Sequence, residues 1–172
     1  SVALEAISPP SKDSPWSLEG TLAHEVLECL LKRKPIPDNP KINRIMVAHC
    51  MRAADKIRAI HRAFGGRLWI EKRVYALFIH PEMFGTCDAI VAPTGETLHI
   101  IDFKYGQGHI VKAEENTQLI QYALSAAEDF GWNFHTVKMW IIQPRAGEKW
   151  FNYGSIPMSE LQEKWLPIWQ KG

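Results

Sequence analysis

A chain of 172 residues with 46% apolar and 23% charged side chains has the balance of a globular protein and is long enough to bury one real core. Its three cysteines, Cys29, Cys50 and Cys87, are odd in number and include no Cys-x-x-Cys pair; this argues against a disulfide framework, a structural zinc or an iron–sulfur cluster and fits a reducing, cytoplasmic setting. The net charge of +1 does not by itself point to a partner, no apolar run approaches the roughly 18 residues that span a membrane, and no signal-peptide pattern opens the chain.

Residues 8 to 17 read as a polar, proline-broken loop, and Ser14 before Pro15, or else Ser17, can start a helix. That helix is expected to run to about Lys34, with Leu22, Val26, Leu27, Leu30 and Leu31 as its buried stripe. His24 and Glu28, four apart, share one of its faces. After the connection Pro35 to Pro40, a second helix covers roughly 41 to 64, with Ile42, Met46, Cys50, Ala53, Ile57, Ile60 and Phe64 inward and Gly65-Gly66 as its stop. Basic residues crowd the stretch from Lys41 to Arg73, while acids dominate from Glu82 to Asp129. A basic flank beside an acidic centre suits a phosphodiester held by one and cut at the other, with Arg52, Arg58, Arg62 and Lys112 as candidate phosphate contacts; a solvated helix face accounts for the charges equally well.

From Arg67 to Phe78 the pattern changes to alternation, with Leu68, Ile70, Val74, Ala76 and Phe78 on one face and Trp69, Glu71, Arg73, Tyr75 and Leu77 on the other. Glu71 is expected to pair with Arg73, with a supporting place in an acidic site as the alternative. A β-hairpin follows: Gly85 to Ala92, a turn at Pro93-Thr94-Gly95-Glu96, and Thr97 to Lys104. Alternation puts Asp102 and Lys104 on one surface, and ordinary antiparallel register brings Asp88 to the same end. Two carboxylates so placed repel unless a hard divalent cation lies between them, and a nearby lysine can orient a water or neutralise a phosphoryl oxygen. A plain surface ion pair is the competing explanation for the Asp-x-Lys triplet.

The glycine-rich run from Tyr105 to His109 reads as a mobile loop at the mouth of such a site. A third helix is expected over 114 to 130, with Leu119, Tyr122, Ala123 and Ala126 inward and Gln118 on the same face as Tyr122. His135 to Gln143 forms a last core strand, and a turn at Pro144 to Gly147 leads to a short helix capped by a Ser159/Gln162 box and ended near Pro167.

Four local patterns now stand in order on these elements: Gly20-Thr21-Leu22-Ala23-His24, Gly85-Thr86-Cys87-Asp88, Asp102-Phe103-Lys104 and Gln118-Leu119-Ile120-Gln121-Tyr122. Together they resemble the PD-(D/E)XK nuclease superfamily, in particular its RecB-like branch as found in phage and prophage exonucleases. The resemblance implies an α/β fold with a restriction-endonuclease-like core: a mixed sheet of about four strands flanked by helices, in the order ααβββαβ plus a C-terminal helix. It implies one nuclease domain over residues 1 to 172, with its core over about 17 to 143 and a turn and helix over 144 to 172.

The resemblance further implies Mg²⁺ or Mn²⁺ bound by His24, Asp88, Asp102 and the Phe103 backbone carbonyl. Lys104 is then the catalytic lysine, Gln118 and Tyr122 contact substrate and position it, and Glu28 and Glu71 are supports. No iron–sulfur cluster is expected. The expected activity is that of a DNA exonuclease of bacterial or phage recombination and repair, acting on ends or single strands in the cytoplasm, with a recombination or helicase partner and an open oligomeric state. The alternatives are a catalytically inactive nuclease-fold module for DNA binding or assembly, or a structure-specific endonuclease. A zinc-protease reading of His24-Glu25-Val26-Leu27-Glu28 fails at its fifth position, where a second His is required, and leaves Asp102-x-Lys104 unexplained.

Overall fold

The computed structural model describes residues 15–75, 77, 81–82, 84–92 and 96–171. Helix α1 (Pro15–Lys32) opens at a proline, whose missing N–H costs nothing in the first turn; residues 1 to 14, and with them Ser14 as a helix start, lie outside the described residues. Helix α2 (Arg44–Phe64) starts three residues later than its periodicity suggests, because the Asn43 side chain accepts the Met46 N–H at 2.9 Å and caps it there. Helix α3 (Thr117–Phe130) is trimmed in the same way by Asn116, which accepts from the Leu119 N–H at 3.1 Å, and it ends on Gly131 in the left-handed region.

Strands β1 (Arg67–Tyr75), β2 (Phe84–Ala92), β3 (Thr97–Phe103), β4 (Thr136–Ile142) and β5 (Phe151–Pro157) form one sheet in sequence order. The β3–β4 pair is parallel and the others are antiparallel. The fifth strand corrects the four-stranded expectation and lies in the stretch expected to hold only a turn and a helix. Asn152, Gly154 and Pro157 dilute its strand propensity, but pairing with β4 from Phe151↔Ile142 to Thr136↔Pro157 overrides them. Gly154 lets the Glu114 backbone come close, since a Cβ there would stand 3.2 Å from the Glu114 Cα.

The sheet separates two cores. On one face α1 and α2 bury Val26, Leu27, Cys50 and Ile57 against Ala89, Val91, Ile101 and Phe103. On the other, Leu119, Ala123 and Ala126 of α3 pack on Ile90, Leu98, Ile100 and Met139. The C-terminal helical segment adds Leu161 and Trp169 to this second core, so α3 is buried on nearly every side from Leu119 to Ala127. Phe64, expected inward, is 44% exposed.

The C-terminal segment departs from expectation twice. It begins at Met158 after Pro157 with no side-chain cap, so the Ser159/Gln162 box does not form. It also continues through Pro167 as Leu166–Lys171, because a π turn over Leu161–Trp165, closed by the Leu166 N–H on the Leu161 carbonyl, widens the helix just where the ring needs room. Among the described residues no helix is long and apolar enough to cross a membrane.

The alternation expected along β1 also breaks. Leu68 and Ile70 face the α1/α2 core, whereas Val74 faces α3; on β2, Cys87 and Ile90 share the α3 face. The register is continuous across the change, so Glu71 falls opposite Asp88, and Glu71 takes a left-handed φ of 51°. That one residue turns the strand pair over, so its two halves present opposite faces.

His99 on β3 is fully buried, and its Nδ1 accepts the Trp140 indole N–H at 3.2 Å. An indole only donates, so Nδ1 must remain unprotonated. Burial and the nearby Lys138 charge together push the imidazole down to about 4. The folded chain therefore takes up the His99 proton later than the unfolded chain on acidification: the stabilisation is complete above about pH 6.5 and lost as pH falls toward 4. Urea titrations of the native chain and His99→Gln at pH 7 and pH 4.5 are expected to show a smaller pH-dependent loss in the variant, by on the order of 2–3 kcal/mol.

Candidate active site

The β2–β3 ladder runs from Val91↔His99 to Ala89↔Ile101, which leaves Asp88 opposite Asp102 at the next position. There a side chain replaces the backbone partner: Asp88 Oδ2 accepts the Phe103 N–H at 2.7 Å. Both carboxylates are buried, at 6% and 5% exposure. Each is met by a cation from a different element. His24 of α1 places Nε2 at 3.4 Å from Asp88 Oδ1, and Lys104 places Nζ at 3.0 Å from Asp102 Oδ2.

His24 is set by its own helix, since Nδ1–H donates to the Gly20 carbonyl at 2.8 Å. Its ring also stands edge-on to Phe103, with centroids 5.0 Å apart. Burial pulls the imidazole down, but the charge and hydrogen bond of Asp88, with Gly20 and Asp102 behind, outweigh it and raise the group to about 10. The same pair acts on Asp88, where burial is overcome by His24 and the Phe103 N–H and the carboxyl is held below its usual value. Asp102 goes the other way, pushed up to about 6 by burial and by Asp88 despite Lys104.

Lys104 is aimed from the α3 side. It donates to Gln118 Oε1 at 2.9 Å, and Gln118 Nε2 donates to the Tyr122 hydroxyl at 3.2 Å. Of its three ammonium protons, one serves Gln118 and one faces Asp102, which leaves a third. His24, Asp88, Asp102, Phe103, Lys104, Gln118 and Tyr122, which the four sequence patterns single out, thus converge on one place.

Glu71 joins them rather than pairing with Arg73. Arg73 instead stacks its guanidinium 4.3 Å from the Phe84 ring centre. Burial, Asp88 and Glu28 raise the Glu71 carboxyl to about 7, against the pull of His24 and Lys32. Glu28 itself is tied to Lys32 at 2.6 Å. Of the expected phosphate contacts, Arg58 is committed elsewhere: it donates to the Leu30 carbonyl at 2.6 Å near the end of α1 and lies 3.8 Å from Asp55. Arg52 stacks on Trp150, while Arg62 and Lys112 are exposed.

The segment after Lys104 is not the free loop its glycines suggest. Gln143, at the end of β4, donates to the Gly106 and His109 carbonyls at 3.0 and 2.7 Å and accepts from the Val111 N–H at 3.0 Å. Asn152 of β5 donates to the Val111 carbonyl at 2.8 Å and accepts from the Ala113 N–H at 2.6 Å. Arg145 bonds Glu19, Gln107 and the Tyr105 carbonyl, and these groups with Gly20 line a shallow cavity of about 390 Å³ beside His24. No local sequence signal marks Gln143, Arg145 or Asn152, because each partner is 34 or more residues away, apart from the 32 that separate Gln143 from Val111.

Asp102 Oδ2 is buried, and Lys104 at 3.0 Å is its cationic partner. Two buried carboxylates set side by side with so few cations between them fit a hard divalent ion. Among the described residues no three His, Cys, Asp or Glu side chains stand as a ready-made cage. The protein's own cations hold the acids instead. The proton on His24 Nε2 is incompatible with ligation through that nitrogen, so an ion bound there replaces it.

A family model described as "Protein of unknown function (DUF2800)" matches residues 1 to 166. Among solved structures, a protein of Eubacterium rectale described provisionally as an exonuclease superposes with a TM-score of 0.52 at 9% identity; the match covers 94% of this chain and 66% of that one. This chain therefore spans about two thirds of that protein's length, and the likeness shows a shared α/β fold with a helix-flanked sheet.

Glu71 combines a left-handed backbone, which costs a non-glycine residue roughly 1–3 kcal/mol, with an acid forced against Asp88. Glu71→Asn relieves both, since Asn tolerates that backbone, and is expected to raise unfolding stability by about 1–2 kcal/mol at pH 8 in urea titrations.

Proposed function

The chain belongs to the DUF2800 family, a description that assigns no chemistry, and from its site we propose that it is a divalent-metal-dependent nuclease that hydrolyses DNA phosphodiester bonds from ends. The observation that carries this reading is the buried Asp88–Asp102 pair with Lys104 held beside it by Gln118. Two carboxylates, an imidazole and the Phe103 carbonyl form a donor set suited to Mg²⁺, with the imidazole making Mn²⁺ equally acceptable. When bound, that ion polarises a phosphoryl oxygen and acidifies a water.

The chain's own groups do the rest. Asp88, locked to the Phe103 N–H, fixes one anchoring oxygen. Asp102, buried opposite Asp88 with Lys104 at 3.0 Å, supplies the second anchoring carboxylate. The free donor of Lys104 points its charge where negative charge grows on the phosphoryl group, and the Gln118–Tyr122 relay keeps the amine in that direction. Action at ends is supported by the RecB-like sequence patterns and by the exonuclease description of the Eubacterium rectale protein. Partners in recombination or unwinding, in a bacterial or phage-infected cytoplasm, fit the same reading.

The test is degradation of end-labelled linear DNA with Mg²⁺, Mn²⁺ or EDTA. Metal-dependent release of nucleotides is expected, with closed circular duplex spared and with Lys104→Ala and Asp102→Ala each lowering the rate by roughly 10²–10⁴-fold. Cleavage of circles at the same rate would replace the exonuclease with an endonuclease. Activity unchanged by both substitutions would remove the catalytic assignment.

A further inference from the structure

The face on which α2 meets β4 and β5 carries a row of rings and cations unlike the aliphatic packing beside it. The Arg52 guanidinium lies 4.1 Å from the Trp150 ring centre, the Lys56 ammonium 3.9 Å from Phe151, and the Lys138 ammonium 3.9 Å from Tyr153. Arg52 and Lys56 are one helical turn apart, and Phe151 and Tyr153 point to the same face of β5, so the pairs succeed one another across the surface. Tyr153 is 55% exposed.

We propose that this face is a binding track for single-stranded DNA, an inference that rests on the nuclease reading of the neighbouring site. Phosphates compete for the three cations, and the rings so uncovered stack unpaired bases. A duplex keeps its bases inside and gains only the charge contacts. None of the ion pairs between described side chains uses Arg52, Lys56 or Lys138, so a polyanion meets a field that these pairs leave open. The Lys138 ammonium is held below its usual value by burial and by the charge of Lys56, in keeping with that field.

The row and the acids share a level of the sheet. Phe151 pairs with Ile142 and Ile142 with Phe103, the residue after Asp102, so the row begins beside the end of β3 on the α1/α2 face, while Lys104 is met by Gln118 from the α3 side. A purely structural role, in which cation–ring pairs only cover the end of the sheet, predicts no effect of these residues on nucleic-acid affinity.

Fluorescence anisotropy of fluorescein-labelled oligo-dT and of a blunt duplex, in EDTA so that nothing is cut, separates the two. Tyr153→Ala is expected to weaken oligo-dT binding by about five- to a hundredfold. Lys56→Gln is expected to lower the slope of log affinity against log salt by about 0.7. Tyr75→Ala, an exposed ring at the opposite edge of the sheet, is expected to bind as the native chain does. Native affinity in both Tyr153→Ala and Lys56→Gln, or equal loss in Tyr75→Ala, or duplex bound as tightly as oligo-dT, would overturn the track. Such a result alongside Lys104-dependent cleavage leaves the nuclease reading standing, whereas a working track on a chain that cuts nothing with metal present removes that reading and keeps this one.

Discussion

Two carboxylates held side by side out of water repel, and much of this molecule is arranged to answer that repulsion. The register of β2 on β3 sets Asp88 opposite Asp102, where neither can turn away. The sheet contributes the Phe103 N–H, α1 brings His24 from one face, and α3 directs Lys104 through Gln118 from the other. Removing any one of these leaves charge buried without compensation, a situation that costs several kcal/mol in folded proteins. The helix packing and the electrostatics of the site are therefore one problem solved by the same contacts.

Glu71 shows the opposite tendency, since its backbone is unfavourable and its carboxyl is crowded by Asp88 and Glu28. Its left-handed turn exchanges the faces of β1 and β2 beside the acids. A third acid can then approach from the first strand while Leu68 and Ile70 stay in one core and Val74 enters the other. Local stability is given up where the chemistry is concentrated, the usual relation between strain and function.

Much of this was legible in the sequence, and the reasons differ by element. Helical periodicity located all three long helices, and the Ile- and Val-rich runs on either side of a turn gave the hairpin that holds both acids. Register followed from the hairpin, so the meeting of Asp88, Asp102 and Lys104 was foreseeable. What was missed is of two kinds, local caps and backbone angles on the one hand and partners far along the chain on the other. The asparagine caps at 43 and 116 were readable signals that periodicity overrode. By contrast, β5 is completed by its pairing with β4, and the π turn carries the helix past Pro167 with Leu161 and Trp169 both in the core. The face exchange at Glu71 is a single backbone angle that no alternation pattern encodes.

The amide side chains that hold the segment after Lys104 tie the earliest and latest parts of the site together in time as well as in space. Gln143, just past β4, and Asn152 of β5 are made well after the acids and the lysine. A ribosome delivers Lys104 and its glycine-rich continuation first, before any of the Gln143, Arg145 and Asn152 tethers exists. The loop gains its full set of anchors only once the last strand has emerged and paired, so a nascent chain holds its acids before it can hold the wall around them.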